Sequence, residues 1–384
     1  MDCRSRALTR FSCGVVLVAL TCGCASRVAL PPASVSARLI VIGDTIVNSN
    51  NGTSNTRPDV GGLSGAYYDP RVERLYAVSD DRERPRLVTM EVSVAAGVRV
   101  TTREVVALQL PHQGRRTLDA EGVAPAPNGR LYVSSEGNAA DPNEPAPGIY
   151  EYTRQGRFVR SLPLPRRYLG SGDGSGMRDN GAFEGLTVSP DGRRLFVATE
   201  SSLRQDGEAP GFERGAISRL LAYDVPIVGA PREYAYRIDS IVRPQAFNEA
   251  EGEIGVAEIL ALSSRELLVL ERGYVREVAL RAGRSANSIR IYHVSLTSDA
   301  EVTGRPSLVE EPPAAVLKKT LVLDAAAIAP ELSPPLRALE NFEAMTFGPR
   351  LPDGSASLLL ISDDNFSDRQ VTAIVVLALV SPTK

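Results

Sequence analysis

In NGAFEGLTVSPDGRRLFVATES (180–201), Glu184 precedes one apolar run and Glu200 follows a second, with an Asp-Gly turn between them. Acids so placed in an antiparallel hairpin lie at the same edge of the pair. The layout recurs in five segments, 61–81, 119–138, 180–201, 255–274 and 341–366. The first positions are Ser64, Glu121, Glu184, Glu258 and Glu343; the second are Asp80, Glu136, Glu200, Glu271 and Asp363. Asp119 and Asp364 flank two of them. Carboxylates gathered at one opening repel each other and lose hydration, so they must be protonated, paired with cations or bound to metal. An all-oxygen donor set suits a hard divalent cation, above all calcium, and Asn138, Asn180, Asn365 and backbone carbonyls would add to it. Zinc fits poorly: the chain has only His112 and His293, and no cysteine follows Cys24.

Arginine recurs near the second acids as Arg82, Arg204, Arg272 and Arg369. A guanidinium beside a cation site suits a phosphate, whose oxygens accept paired hydrogen bonds. The chemistry expected is attack of activated water on a phosphoester. Glu121, Glu184, Glu258 and Glu343 would hold metal or orient water. Asp80, Asp119, Glu136, Glu200, Glu271, Asp363 and Asp364 would be metal ligands, and the four arginines would bind the substrate anion. The alternative is that these charges simply pair around a rim. Other chemistries lack their parts: Ser64 in GGLSGA is not a G-x-S-x-G elbow, and the glycine-rich GSGDGSG precedes a strand rather than a helix.

Each hairpin is followed by two more strand-like runs, such as SRLLAYDV with EYAYRI and SIRIYHVSL with LKKTLVL. Successive first positions are 57 to 85 residues apart. Four strands per repeat at such spacing predict an all-β fold, a β-propeller of five four-stranded blades, or six if 275–340 hides a degenerate one. RLIVIGDTIV (38–47) is a strand without its own hairpin, and the last repeat is one strand short. The early strand is expected to complete the last blade and close the ring. Helical periodicity is confined to DAAAIAPELSPPLRALE, whose prolines limit it. Loops around 46–60, 170–181 and 201–216 are long enough to bind a partner.

The chain begins with a basic, apolar and small-residue order, from Arg4, Arg6 and Arg10 through FSCGVVLVAL to TCGCAS. That is the order of a secretory signal over 1–23, too short to span a bilayer as an ordinary helix. Gly23-Cys24-Ala25 resembles a bacterial lipobox, with Thr21 where leucine is usual, so Cys24 is the candidate lipidation site and plain secretion the alternative. The expected organisation is a leader, a tether over 24–37 and one domain over 38–384, anchored to a membrane by lipid alone and exposed to the periplasm or cell surface. All four cysteines lie within residues 3–24, so the rest forms no disulfide. Without 1–23 the chain carries 40 basic against 45 acidic residues, which argues against nucleic acid as partner. A monomer acting on a small anionic or ester substrate is expected.

GGLSGAYYDP…RLYAVSDD, DAEGVAPAPNGRLYVSSEG, GAFEGLTVSPDGRRLFVATES and NFEAMTFGP…LLLISDDNF resemble the phytase-like domain family, also described as having esterase-like activity of phytase. The resemblance covers roughly 38–380. It implies an exported bacterial β-propeller and calcium-assisted phosphomonoester hydrolysis, carried over to Asp119, Glu121, Glu136, Glu184, Glu200, Glu343, Asp363 and Asp364. Two positions depart from the pattern, with Glu258-Ile259 and Glu343-Ala344 where Glu-Gly is usual. β-Propeller phytases also use lysine-rich substrate sites, whereas only Lys318, Lys319 and Lys384 occur here, which argues against inositol hexakisphosphate. Two other functions fit the same layout: a non-catalytic propeller that binds a sugar, peptide or envelope protein, and metal-dependent ester or lactone hydrolysis like that of gluconolactonase-type propellers.

Overall fold

The computed structural model describes residues 38–47, 60–111, 117–137, 146–170, 174–243, 251–276, 287–310 and 312–380. The leader with Cys24, the expected tether, His112 and Asn138 lie outside these. The twenty strands of the described residues form five four-stranded antiparallel sheets.

Blade one comprises β2 (Leu63–Asp69), β3 (Arg74–Ser79), β4 (Arg86–Ser93) and β5 (Arg99–Ala107). Blade two comprises β6 (Ala120–Pro125), β7 (Leu131–Ser135), β8 (Gly148–Tyr152) and β9 (Phe158–Ser161). Blade three follows with β10 (Phe183–Val188), β11 (Arg194–Thr199), β12 (Ala216–Asp224) and β13 (Arg232–Ile238). Blade four has β14 (Gly252–Ala261), β15 (Glu266–Val275), β16 (Asn287–Ser295) and β17 (Lys319–Asp324). Blade five is β18 (Asn341–Phe347), β19 (Ala356–Asp363) and β20 (Ala373–Val380), completed by β1 (Arg38–Ile46) on the free edge of β20. The innermost strands touch in the cyclic order β2, β6, β10, β14, β18 and back to β2, so the blades form a closed propeller.

The described residues of 275–340 supply the outer strands of blade four and four short 3-10 turns (Ser298–Ala300, Ala325–Ala327, Ala329–Glu331 and Pro334–Ala338) rather than a sixth blade. Pro330 and Pro334-Pro335, at the first positions of two of these turns, lack the N–H that a helix continuing from the preceding turn would need.

Stacking both faces of every blade explains why the middle strands read as near-continuous apolar runs. In β7 every residue of LYVSS is buried, and β3 is buried at all but its first residue. The core is therefore divided among the gaps between blades. Leu268, Leu270 and Ile289 meet Leu358 and Leu377 between blades four and five; Tyr236 and Phe196 meet Ile259 and Leu267 between three and four. The outermost strands face water on one side and carry the charge, as in RVTTREVVA of β5, which discourages pairing with other chains.

Near the axis the innermost strands approach too closely for side chains. A Cβ on Gly65 would lie 2.1 Å from the Glu121 carbonyl oxygen. One on Gly122 would lie 2.7 Å from the Glu184 carbonyl, and one on Gly185 would lie 2.7 Å from the Ile259 nitrogen. This is the reason glycine follows Glu121 and Glu184. Gly65→Ala, which forces backbone apart between blades one and two, should cost about 2–4 kcal/mol of unfolding free energy by urea denaturation. Gly192→Ala, at a turn with φ 72° and open space around it, should cost only about 1 kcal/mol.

Candidate functional site

Each innermost strand carries one irregularity in its pairing with the next strand. The registers skip between Leu63 and Gly65, Ala120 and Val123, Phe183 and Leu186, Val256 and Glu258, and Phe342 and Ala344. A bulge of this kind re-aims one side chain. Register equivalence makes that residue Ser64, Glu121, Glu184, Ala257 and Glu343. On the partner strands, the residue following the pairs Leu63–Ser79, Ala120–Ser135, Phe183–Thr199, Val256–Glu271 and Phe342–Ser362 is Asp80, Glu136, Glu200, Arg272 and Asp363.

Blade four thus sits one residue away from the frame read off the sequence. Ala257 and Arg272 take the places expected for Glu258 and Glu271. A one-residue slip moves every side chain of a strand to its other face, and both displaced acids serve elsewhere. Glu258 stands where the other blades have Gly65, Gly122, Gly185 and Ala344. It is buried, and its Oε1 accepts hydrogen bonds from the Leu186 and Ile259 N–H groups at 3.0 and 2.9 Å. The N–H groups of Met345 and Ala66 also hold it, so one carboxyl links blades one, three, four and five. Glu271 accepts from Lys319 Nζ at 2.5 Å and from the Tyr236 hydroxyl at 2.6 Å. Neither acid lines the funnel described next.

At one mouth of the ring the remaining acids open into a funnel of about 1220 Å³. Asp80, Glu121, Glu136, Glu184, Glu200, Glu343 and Asp363 line it, with Asp119, Asn180 and Asn365 beside them. Of the expected arginines, Arg82, Arg272 and Arg369 face it. Arg82 pairs with Asp119 at 2.6 Å from an exposed position. Arg272 is held between Glu200 at 3.4 Å and Glu343 at 3.2 Å.

Arg204 does not line the funnel. It opens the 3-10 turn Arg204–Asp206, whose Asp206 is locked to the buried Arg219 of blade three at 2.6 and 2.9 Å, and it pairs instead with Asp179 at 3.3 Å. Asp364 is likewise spent on structure, since its Oδ1 accepts from the N–H groups of Gly62 at 2.9 Å and Phe366 at 3.1 Å. Glu253, Tyr274, Glu340 and Asn341 line the funnel without having been read from the sequence. Glu340-Asn341 precedes Phe342-Glu343 as Asp119 precedes Ala120-Glu121, which was their available signal. Glu253 and Tyr274 are opposed in β14 and β15, which run longer than the other inner pairs and reach above the ring.

Oxygens of Asp119, Glu121 and Glu136 lie within 4.8 Å of one another, and so do those of Glu136, Glu184 and Glu200. Both sets could hold a metal ion. Their electrostatics fit one: burial, reinforced by neighbouring carboxylates, pushes Glu121 and Glu184 well above the usual carboxylate range. Burial and then Glu200 push Glu136 up to about 8, and burial and then Glu343 push Asp80 up to about 7. Burial takes Glu200 to about 7 against the opposing pull of Arg272. The donor set is all oxygen, as calcium or magnesium requires.

A family model described as phytase-like, esterase-like activity of phytase, matches residues 58–366. An uncharacterized secreted protein of Arthroderma benhamiae is 28% identical over 189 residues, covering 41% of this chain and 35% of that protein. The match therefore spans about a third of the length of that relative. Among solved structures, an endo-arabinase from Bacteroides thetaiotaomicron superposes with a TM-score of 0.41 at 9% identity, covering 85% of this chain and 96% of that one. The PQQ-bound aldose sugar dehydrogenase of Streptomyces coelicolor gives 0.36 at 12% identity, covering 91% and 100%.

Two outcomes follow from the buried acids. Groups whose folded pKa is raised hold protons that the unfolded chain releases above its ordinary 3.8 to 4.5. Their stabilisation is complete below that range and lost as pH rises through 7 to 8. Chelator-treated protein should accordingly melt at progressively lower temperature between pH 5 and 8, and millimolar calcium at pH 8 should reverse the fall. Glu258→Ala strands several inward N–H groups, so it should cost about 3–5 kcal/mol in urea denaturation, with Glu258→Gln costing less.

Proposed function

The chain belongs to the phytase-like family, and on that premise we propose that it is an exported, divalent-cation-dependent hydrolase of small phosphoesters acting at the acidic funnel. The observation that carries the reading is the pair of carboxylate triads sharing Glu136 and opening into a cavity large enough for a small substrate. Asp119, Glu121, Glu136, Glu184 and Glu200 would hold the cation, with calcium the best match to all-oxygen donors. Once bound, the cation supplies Lewis-acid stabilisation of charge developing on the ester oxygens.

The chain's own residues do the remaining work. Arg82 and Arg369 stand at the funnel wall, where their guanidinium groups can engage a phosphoryl group. Carboxylates not spent on the cation accept the proton of attacking water, for which a raised pKa near neutrality is well matched. Glu343, tied to Arg272 and to the Asn341 amide at 2.9 Å, is better placed to position than to transfer a proton.

Cations are few at the funnel beside its acids, and Lys319 is engaged by Glu271 and Asp239. That balance supports a substrate of low negative charge over a polyphosphate such as inositol hexakisphosphate. It weighs equally against nucleic acid. The leader-like start and the secreted relative support export, with lipid attachment at Cys24 as part of the proposal. We take the protein to act as a monomer.

Protein stripped with chelator and re-loaded with calcium should release phosphate from p-nitrophenyl phosphate, and lose that activity again with chelator. Glu184→Gln should lower turnover by at least about 100-fold while leaving the fold intact by circular dichroism. Calcium-dependent cleavage of p-nitrophenyl acetate or a lactone, with no phosphate release, would redirect the reading to carboxylic esters. Calcium binding without turnover of either would make the funnel a binding site.

A further inference from the structure

We infer that Arg272 is a resident counter-charge that confines a bound cation to the side of the funnel built by blades two and three. This deepens the cation reading above and rests on it. Four of the five positions in the outer acid ring are carboxylates, and the fifth is Arg272; at the bulge of the same blade, Ala257 offers no ligand at all. At these two positions blade four therefore contributes a cation and a methyl group where neighbouring blades contribute acids, its Glu253 lining the funnel from farther along β14.

The guanidinium bridges Glu200 of blade three and Glu343 of blade five, at 3.4 and 3.2 Å. All three side chains are about equally enclosed, 14%, 13% and 14% exposed, so Arg272 has little room to withdraw when a second cation approaches. Glu343 is further occupied by the Asn341 amide. Arg82 differs: it is 44% exposed at the rim, where water screens its pairing with Asp119. The arrangement of donors agrees, because both metal-competent triads draw only on blades two and three and neither includes Asp80, Glu343 or Asp363. Like charges repel strongly at such range in a partly dehydrated site. A cation between Glu200 and Glu343 would have to share their oxygens with the arginine.

Calcium binding by titration calorimetry, on the chelator-stripped full chain, tests the assignment without reference to turnover. Glu136→Gln, which removes the acid shared by both triads, should weaken calcium at least about tenfold, and Glu343→Gln should leave affinity within about threefold and stoichiometry unchanged. Arg272→Met should gain calcium equivalents, as Glu343 is freed to bind, and Arg272→Lys should not. The inference is overturned if Glu343→Gln loses calcium as Glu136→Gln does, or if folded Arg272→Met binds no more than the wild type. Should Arg272→Met fail to fold, the Glu136 and Glu343 variants decide between them. Calcium binding in this pattern without any hydrolysis would end the hydrolase reading and uphold the role of Arg272. A wild-type chain that binds no calcium would end both.

Discussion

Five inner strands have to meet around one axis, and their backbones come so close there that side chains must be removed. Gly65, Gly122 and Gly185 yield to carbonyl oxygens and nitrogens of the next blade, and the fully buried Ala344 stands at the same position in blade five. In blade four the same position carries Glu258, whose carboxyl accepts the N–H groups that the crowded strands turn inward. Such donors would be costly to bury unsatisfied. The bulges next to these positions are what aim Glu121, Glu184 and Glu343 at the mouth.

From that constraint the electrostatic character of the funnel follows. Acids delivered by separate blades cannot spread apart, because each is fixed to a strand stacked on both faces. Their mutual repulsion and lost hydration are expressed as raised pKa values, which Arg272 and Arg82 offset in part. A cation bound among these acids would relieve that repulsion, which is the physical content of the proposed metal dependence.

The closing strand shows how distant segments cooperate. β1 begins the described chain and pairs with β20 near its end, so blade five is complete only when both are present. The ring thereby hides the edge of β20 and holds the innermost strands of blades five and one in contact, which keeps Glu343, Asp363 and Asp80 at the same opening.

Strand periodicity, turn residues and a repeat at 57 to 85 residues were enough to determine a β-propeller closed by its first strand, because each blade must bury both faces of its middle strands, while a sixth blade over 275–340 stayed open until the structure gave five. Repetition of acids at hairpin ends likewise determined which side of the ring would be charged. The register within blade four was decided only by tertiary contact. In GVAEILALSSRELLVLERGY the pairs Glu258 with Glu271 and Ala257 with Arg272 fit a strand equally well, since the pleat permits either face inward. Packing against β10 and β18 selects between them: with Glu258 beside the axis, its carboxyl accepts the N–H groups that the neighbouring blades turn inward. The absence of glycine after Glu258 was the trace of this in the sequence, and its meaning emerged from the close approach of neighbouring blades. Arg204 and Asp364 stand off the funnel wall for a similar reason, as a local motif does not reveal whether a buried Arg219 or a turn amide orders the loop first.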